Sequence, residues 1–250
     1  MQTLGKHSPR FKAWCRLGDA RARREQRLTL AEGPEVVAEL LASSWEVEAV
    51  LVEAGRHPHL ERQAQGRAEL LALEPQQLSR LTSAQTSQGV VAIARPPETR
   101  VHLADVDFAL LLEDLHDPGN LGALARTARA AAVQALVVTG GTDPYGPKAL
   151  RAAAGALFHL PVTRLEDPLE VLKAGPELVC AVARGGQPLF EAKLEGRIAI
   201  ALGNEKRGLS DQLLTAATRL VTIPMAGGCE SLNVAVSGAL LMYERVRRCG

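Results

Sequence analysis

Short continuous apolar runs alternate with helical spacing over the second part of this chain. Residues 108–112, 135–139, 178–183, 198–202 and 220–223 are runs of four to six residues with no polar face, the pattern of strands covered on both sides. Between them lie stretches of helical periodicity around residues 121–132, 147–157, 167–174 and 210–217, and a final one from about 231 to 247. That alternation predicts a parallel sheet with helices on both faces. Residues 28–95 read as a smaller α/β layer. Pro34 opens a helical pattern through Val37, Leu40 and Leu41, and residues 49–52 and 90–93 read as strands. Helical spacing runs from Leu60 to Leu73, and Leu78 and Leu81 end a second short helix. Pro96-Pro97, in a segment without apolar side chains, marks a linker at 96–104 between this layer and a domain at 105–250.

Composition narrows the class. At 46% hydrophobic and 23% charged, 250 residues suffice for a real core and exclude a disordered or collagen-like chain. Cys15, Cys180, Cys229 and Cys249 lack metal-ligand spacing, so reduced thiols and no metal are expected. No apolar run approaches the roughly 20 residues of a membrane span, and the start lacks a secretory signal's apolar core. A cytoplasmic protein is the expectation.

The net charge of +1 argues against a small basic nucleic-acid module, but it is an average. Residues 1–30 hold eight Lys or Arg against Asp19 and Glu25, with Phe11 and Trp14 interleaved. This basic arm, bounded at 1–27, either neutralises phosphates and stacks on bases, or is a solvated helical extension, or packs on its own domain.

Ligands of open parallel sheets bind at the carboxyl ends of the strands. Three loops leave such ends. The first, Asp117-Pro118-Gly119-Asn120, predicts a turn with Asn120 capping a helix on which Gly122 and Arg126 share a face. The second, Gly203-Asn204-Glu205-Lys206-Arg207-Gly208, lets a ligand approach the main chain and precedes a helix capped by Ser210. Its Glu205 has Lys206 and Arg207 as the nearest candidate ion-pair partners. It matches neither a Walker loop nor a dinucleotide fingerprint. The third carries Gly227-Gly228 and then Ser231-Leu232-Asn233-Val234 at the start of a helix apolar nearly all round. That helix is expected to be buried, with Asn233 a buried polar group in need of partners and Cys229 an inert buried thiol.

In order and content the three segments resemble the motifs of the SpoU (TrmH-like) family of RNA ribose 2′-O-methyltransferases. Asp117-Pro118-Gly119-Asn120-Leu121-Gly122 with Arg126-Thr127 resembles its first motif. Gly203-Asn204-Glu205 with Gly208-Leu209-Ser210 resembles its second, and Ile223-Pro224-Met225 with Ser231-Leu232-Asn233-Val234 its third. The resemblance covers roughly residues 105–247. Residues 28–95 are similar to the small RNA-binding substrate domain of many members.

This resemblance implies a parallel α/β domain with a C-terminal trefoil knot, and S-adenosylmethionine bound along Gly203, Ile223 and Leu232. It implies Arg126 as the catalytic residue, with Asn120 and Asn233 orienting, Glu205 near the cofactor loop and Ser231 at the helix start. It also implies a homodimer joined through the final helix. The separate N-terminal domain favours ribosomal RNA over tRNA. The alternatives are a tRNA 2′-O-methyltransferase and a non-catalytic RNA-binding assembly factor on the same fold.

Overall fold

The apolar runs become the centre of a seven-stranded, wholly parallel sheet in a computed structural model that describes residues 2–82, 87–98, 101–227 and 229–249. Two compact units form, one from Met1–Thr99 with Asp143–His159 and the other from Arg100–Thr142 with Leu160–Gly250. Thr99 and Arg100 of the proline-rich stretch, and Gly228, lie outside the described residues.

In the first unit, β1 (Gln2–Thr3), α1 (Pro9–Trp14) and α2 (Ala20–Gln26) precede β2 (Thr29–Glu32), α3 (Pro34–Ala42) and β3 (Glu46–Val52). Then come α4 (Pro58–Ala64), β4 (Glu69–Ala72), α5 (Pro75–Leu81) and β5 (Val90–Arg95). The sheet order is β1-β4-β3-β5-β2, with β5 antiparallel to both its neighbours. The helix expected from Leu60 to Leu73 is in fact α4 followed by β4. Gly66, at φ +75, ends the helical path, and Leu71 then pairs with Leu51 in a strand.

The basic N-terminal segment is not a free arm. Phe11, Trp14 and Leu17 are fully or almost fully buried and join Leu30, Leu51 and Ile93 in one core cluster. The aromatic rings are therefore unavailable for stacking on bases.

The second unit contains β6 (Phe108–Glu113), α6 (Pro118–Ala130) and β7 (Ala135–Thr139). The chain then contributes α7 (Pro147–Ala152) to the first unit and returns with β8 (Val162–Leu165). There follow β9 (Glu177–Ala181), β10 (Gln187–Pro188), β11 (Ile198–Leu202), α8 (Asp211–Ala216), β12 (Arg219–Thr222) and α9 (Val234–Cys249). The strand order is β10-β12-β9-β11-β6-β7-β8. β6, β7 and β11 are buried along nearly their whole length, as strands covered on both faces must be.

Helix α9 departs from expectation. Gly238, Leu241 and Met242 face inward, but Val236, Leu240, Tyr243 and Val246 form an exposed apolar stripe, and Asn233 before it is exposed too. Apolar residues all round a helix mark two covered faces, and one chain covers only one of them. Gly238 sets the approach to α6: a Cβ there would lie 2.3 Å from Leu124 Cδ2 and 2.7 Å from Leu202 Cδ1. Gly238→Val is expected to lower stability by about 1–2 kcal/mol, measured as a lower Tm, because buried leucines must leave their rotamers. An unchanged Tm would mean that the α6–α9 contact is loose.

Candidate functional site

The sheet order puts the carboxyl ends of β12, β9 and β11 side by side, and a cavity of about 620 Å3 opens over them. Its floor is Ala181 to Ala183, Leu202 and Val221 at the strand ends. Its rim is the loop 203–208, Ile223 and Met225 after β12, and Ser231 to Val234 with Ser237 at the start of α9. Gly203, Glu205, Ile223, Ser231, Leu232 and Asn233, six of the residues singled out above, thus line one space. Asn120 and Arg126 are not part of that lining.

The second loop holds its shape by folding back on itself. Asn204 and Gly208 form an antiparallel bridge, with Gly208 N donating to Asn204 O at 2.9 Å. Asn204 Oδ1 accepts from the N–H groups of Lys206 and Arg207, at 2.9 and 3.1 Å. A Cβ on Gly203 would stand 2.2 Å from the Gly208 carbonyl carbon and 2.3 Å from its oxygen. The glycine therefore serves the fold of the loop, beyond the ligand approach expected from its position.

Three hydrogen bonds knit the loop to the first motif. Glu205 Oε1 accepts from Asn120 Nδ2 at 3.1 Å and from Asp117 N at 3.2 Å, and Oε2 accepts from His116 N at 3.3 Å. The expected partners Lys206 and Arg207 do not hold this carboxylate; Arg207 pairs with Asp114. Burial would raise the Glu205 pKa. The donors from its own backbone, Asn120, Asp117 and His116 outweigh that and hold it below the usual carboxylate value.

The third motif joins through Asn233. Its Nδ2 donates to Asn120 Oδ1 at 3.0 Å, while its Oδ1 accepts from Ala235 N at 2.9 Å and Val236 N at 3.3 Å. Asn233, Asn120 and Glu205 thus form a continuous relay from the start of α9, through the first turn of α6, to the cavity rim. Through its bonds from Ala235 N and Val236 N, Asn233 caps α9, which begins at Val234, three residues after Ser231, where the sequence places the helix start. Asp117, with Pro118 in the first turn, caps α6 in place of Asn120, which is left free for the relay. Ser210 occupies the N-cap of α8, but its hydroxyl donates to Glu113 Oε1 at 2.6 Å.

Arg126 stands apart. It lies on the exposed side of α6 and, among the described residues, makes no hydrogen bond or ion pair. Its guanidinium fork is unspent.

Two residues missed in the sequence tie the site together. Asp114, at φ +52, accepts from Asn204 Nδ2 through its carbonyl at 2.9 Å, and its carboxylate meets both Arg207 and His116. Glu113 holds the N–H and hydroxyl of Ser210. The signal was present as a Glu-Asp pair at the end of a buried strand, but its partners Asn204, Arg207 and Ser210 are 90 to 97 residues away. Cys229 is exposed, with its Sγ 3.4 Å from Ser231 O, and the buried thiol is Cys180, pushed up to about 12 by burial and by Glu113. Among the described residues no group of His, Cys, Asp or Glu is placed to hold a metal ion, and no helix is long and apolar enough to cross a membrane.

The cavity fits an organic ligand with an apolar body and polar ends. Leu202, Ile223, Met225 and Leu232 supply apolar walls, strand-end and loop backbone supply hydrogen-bonding groups, and the volume falls in the range of cofactor pockets.

Comparison with known proteins gives the same picture. The SpoU rRNA Methylase family model matches residues 107–243, and that of the MRM3-like substrate binding domain matches residues 8–92. The 23S rRNA (guanosine(2553)-2′-O)-methyltransferase RlmP of Bacillus subtilis is 33% identical over 239 residues, covering 94% of this chain and 95% of that protein. The 23S rRNA (uridine(2479)-2′-O)-methyltransferase of Streptomyces viridochromogenes is 29% identical over 259 residues, covering 96% and 90%. The solved structure of the SpoU methyltransferase AviRb from the same organism, in complex with the cofactor AdoMet, matches with a TM-score of 0.88. It is 30% identical, covering 97% of this chain and 98% of that one.

Proposed function

Because this chain belongs to the SpoU rRNA methylase family, and is therefore an S-adenosylmethionine-dependent RNA ribose 2′-O-methyltransferase, we propose that ribosomal RNA is its substrate and that the relay-linked loops form its active site. The observation that carries this reading is the Asn233–Asn120–Glu205 relay, which joins all three motifs at the rim of one cavity. Gly203, Ile223 and Leu232 would hold S-adenosylmethionine, which when bound supplies an electrophilic methyl group. The trefoil knot implied by the family belongs to this reading as well.

The roles of the side chains follow from their surroundings. Glu205 is a poor proton acceptor, since both its oxygens already accept N–H donors and its pKa is depressed. It positions Asn120 and the two loops. Asn233 and Asn120 fix the rim, and Ser231 offers a hydroxyl at its edge. Arg126 acts as a cation, because an arginine pKa above about 12 leaves almost no neutral form at neutral pH. Its free fork grips a substrate phosphate bidentately and stabilises the alkoxide developing at the 2′-oxygen.

We read the exposed stripe Val236, Leu240, Tyr243 and Val246 as the face through which two copies pair, and the compartment as the cytoplasm, where ribosomal RNA is processed.

The depressed pKa of Glu205 gives a signed expectation. A carboxylate lowered in the folded state keeps its contribution above its ordinary value and loses it as pH falls through the lowered one. S-adenosylmethionine affinity measured by calorimetry should therefore hold as pH falls through the usual carboxylate range and drop only below it. Glu205→Gln should bind more weakly with no such drop. A midpoint at or above the ordinary glutamate value would overturn the relay's role.

The substrate class is tested by incubating the protein with labelled S-adenosylmethionine and transcripts of ribosomal RNA or tRNA. Label in ribosomal RNA is expected. Label confined to tRNA would sink the ribosomal reading, and absence of S-adenosylmethionine binding would revive the non-catalytic one.

A further inference from the structure

We infer that Asp114 is a positioning residue for cofactor binding, whose carboxylate latches the loop 203–208 against the first motif. The inference rests on the reading that this loop holds S-adenosylmethionine. Asp114 follows β6 directly and takes a left-handed backbone, at φ +52. Glycine adopts that conformation freely, and asparagine or aspartate at modest cost. The turn itself therefore has no need of a carboxylate. What the side chain reaches accounts for it.

Each polar group of Asp114 goes to a different partner. Its N–H donates to Thr139 O at 2.7 Å, at the end of β7, and its carbonyl accepts from Asn204 Nδ2 at 2.9 Å. One carboxylate oxygen meets His116 Nε2 at 3.1 Å, and the other accepts from Arg207. Gly140 and Gly141, both at positive φ, leave room for this arrangement. A Cβ on Gly140 would stand 3.2 Å from Asp114 Oδ1, and one on Gly141 2.2 Å from Leu115 O. Asp114 is thus wedged between the loop after β7 and the cofactor loop.

Two fastenings therefore hold the loop to the first motif. Glu205 is tied by the N–H donors of His116, Asp117 and Asn120, whereas Arg207 is tied by opposite charge. The Arg207 side chain is 75% exposed, so it buries little and adds little to the stability of the fold. Its pull acts on the position of the loop. Residues 203–208 all line the cavity, so a loop drawn onto Asp114 frames the ligand space before the ligand arrives. Loss of the latch lowers the fraction of closed loop, and the apparent Kd rises by the same factor.

The test is calorimetric titration of the full chain with S-adenosylmethionine across a potassium chloride series. Asp114→Asn keeps the left-handed turn and the carbonyl bond to Asn204 and removes the charge, and Arg207→Gln breaks the pair from the other side. Each is expected to raise Kd about fivefold at low salt, the most that an exposed ion pair supplies, with Tm little changed. The double variant should also lose about fivefold, because both changes break one bond. Arg207→Lys, which keeps the charge, should recover most of the affinity. Salt should weaken wild-type binding towards the Asp114→Asn value and leave that variant's Kd nearly constant, because screening has no pair left to act on. Wild-type affinity in either single variant, multiplied losses of about twenty-five-fold in the double, equal loss in Arg207→Lys, or parallel salt dependence would overturn the latch. Each of these outcomes leaves the cofactor site in place. A wild-type protein that did not bind S-adenosylmethionine would remove the cofactor reading, and this inference with it.

Discussion

Arg126→Ala is expected to lower kcat for RNA methylation by about 10²–10³-fold, the usual effect of removing one donor from a developing oxyanion. S-adenosylmethionine Kd should stay at the wild-type value, because Arg126 does not line the cavity and has no hydrogen-bond partner among the described residues. Folding should be unaffected for the same reason: an exposed, unpaired side chain is removed. Arg126→Lys restores the charge without the planar fork, so partial recovery is expected if phosphate is gripped bidentately. A rate that rises with pH through neutrality in the wild-type enzyme assigns proton removal to a group other than Arg126. Weaker cofactor binding in Arg126→Ala, with the methyl-transfer step unchanged, would contradict this role.

Gly203→Ala should act in the opposite way, on cofactor binding ahead of chemistry. The new Cβ would meet backbone atoms of Gly208 and Leu209 at 2.2–2.3 Å, and backbone cannot rotate out of the way as a leucine tip can. The loop 203–208 must open. That breaks the Asn204–Gly208 bridge and displaces Glu205 from Asn120. Strain near the upper end of the overpacking range, about 3 kcal/mol, corresponds to roughly a hundredfold loss in affinity if it falls on the bound state. Calorimetric titration of S-adenosylmethionine reads this directly. Wild-type affinity in Gly203→Ala would mean that the loop has slack which its close contacts deny.

The legibility of this molecule divides along a physical line. Strands β6, β7 and β11 were plain in the sequence because residues covered on both faces leave continuous apolar runs. β8 was not, since Val162–Leu165 places an exposed Arg164 among four residues. The helix read across Gly66 shows periodicity overriding a backbone signal that forbade it. Asn120, Glu205 and Asn233 stood out singly within the motifs, but the relay joining them spans separations of 85 and 113 residues and no local pattern encodes it. The exposed stripe of α9 reads as buried in the sequence, and the side on which Phe11 and Trp14 fall stays open there until the structure places them in the core. Apolar residues all round a helix do not say whether chain or partner covers them, and aromatics among charges do not say which way they point.

The most direct test of the proposed activity is to digest RNA methylated by this protein to nucleosides and locate the added methyl by mass spectrometry. The predicted result is a 2′-O-methylated ribose at a defined position of ribosomal RNA, lost in Arg126→Ala. A methyl group on a base, or no transfer to RNA by a protein that binds S-adenosylmethionine, would contradict it.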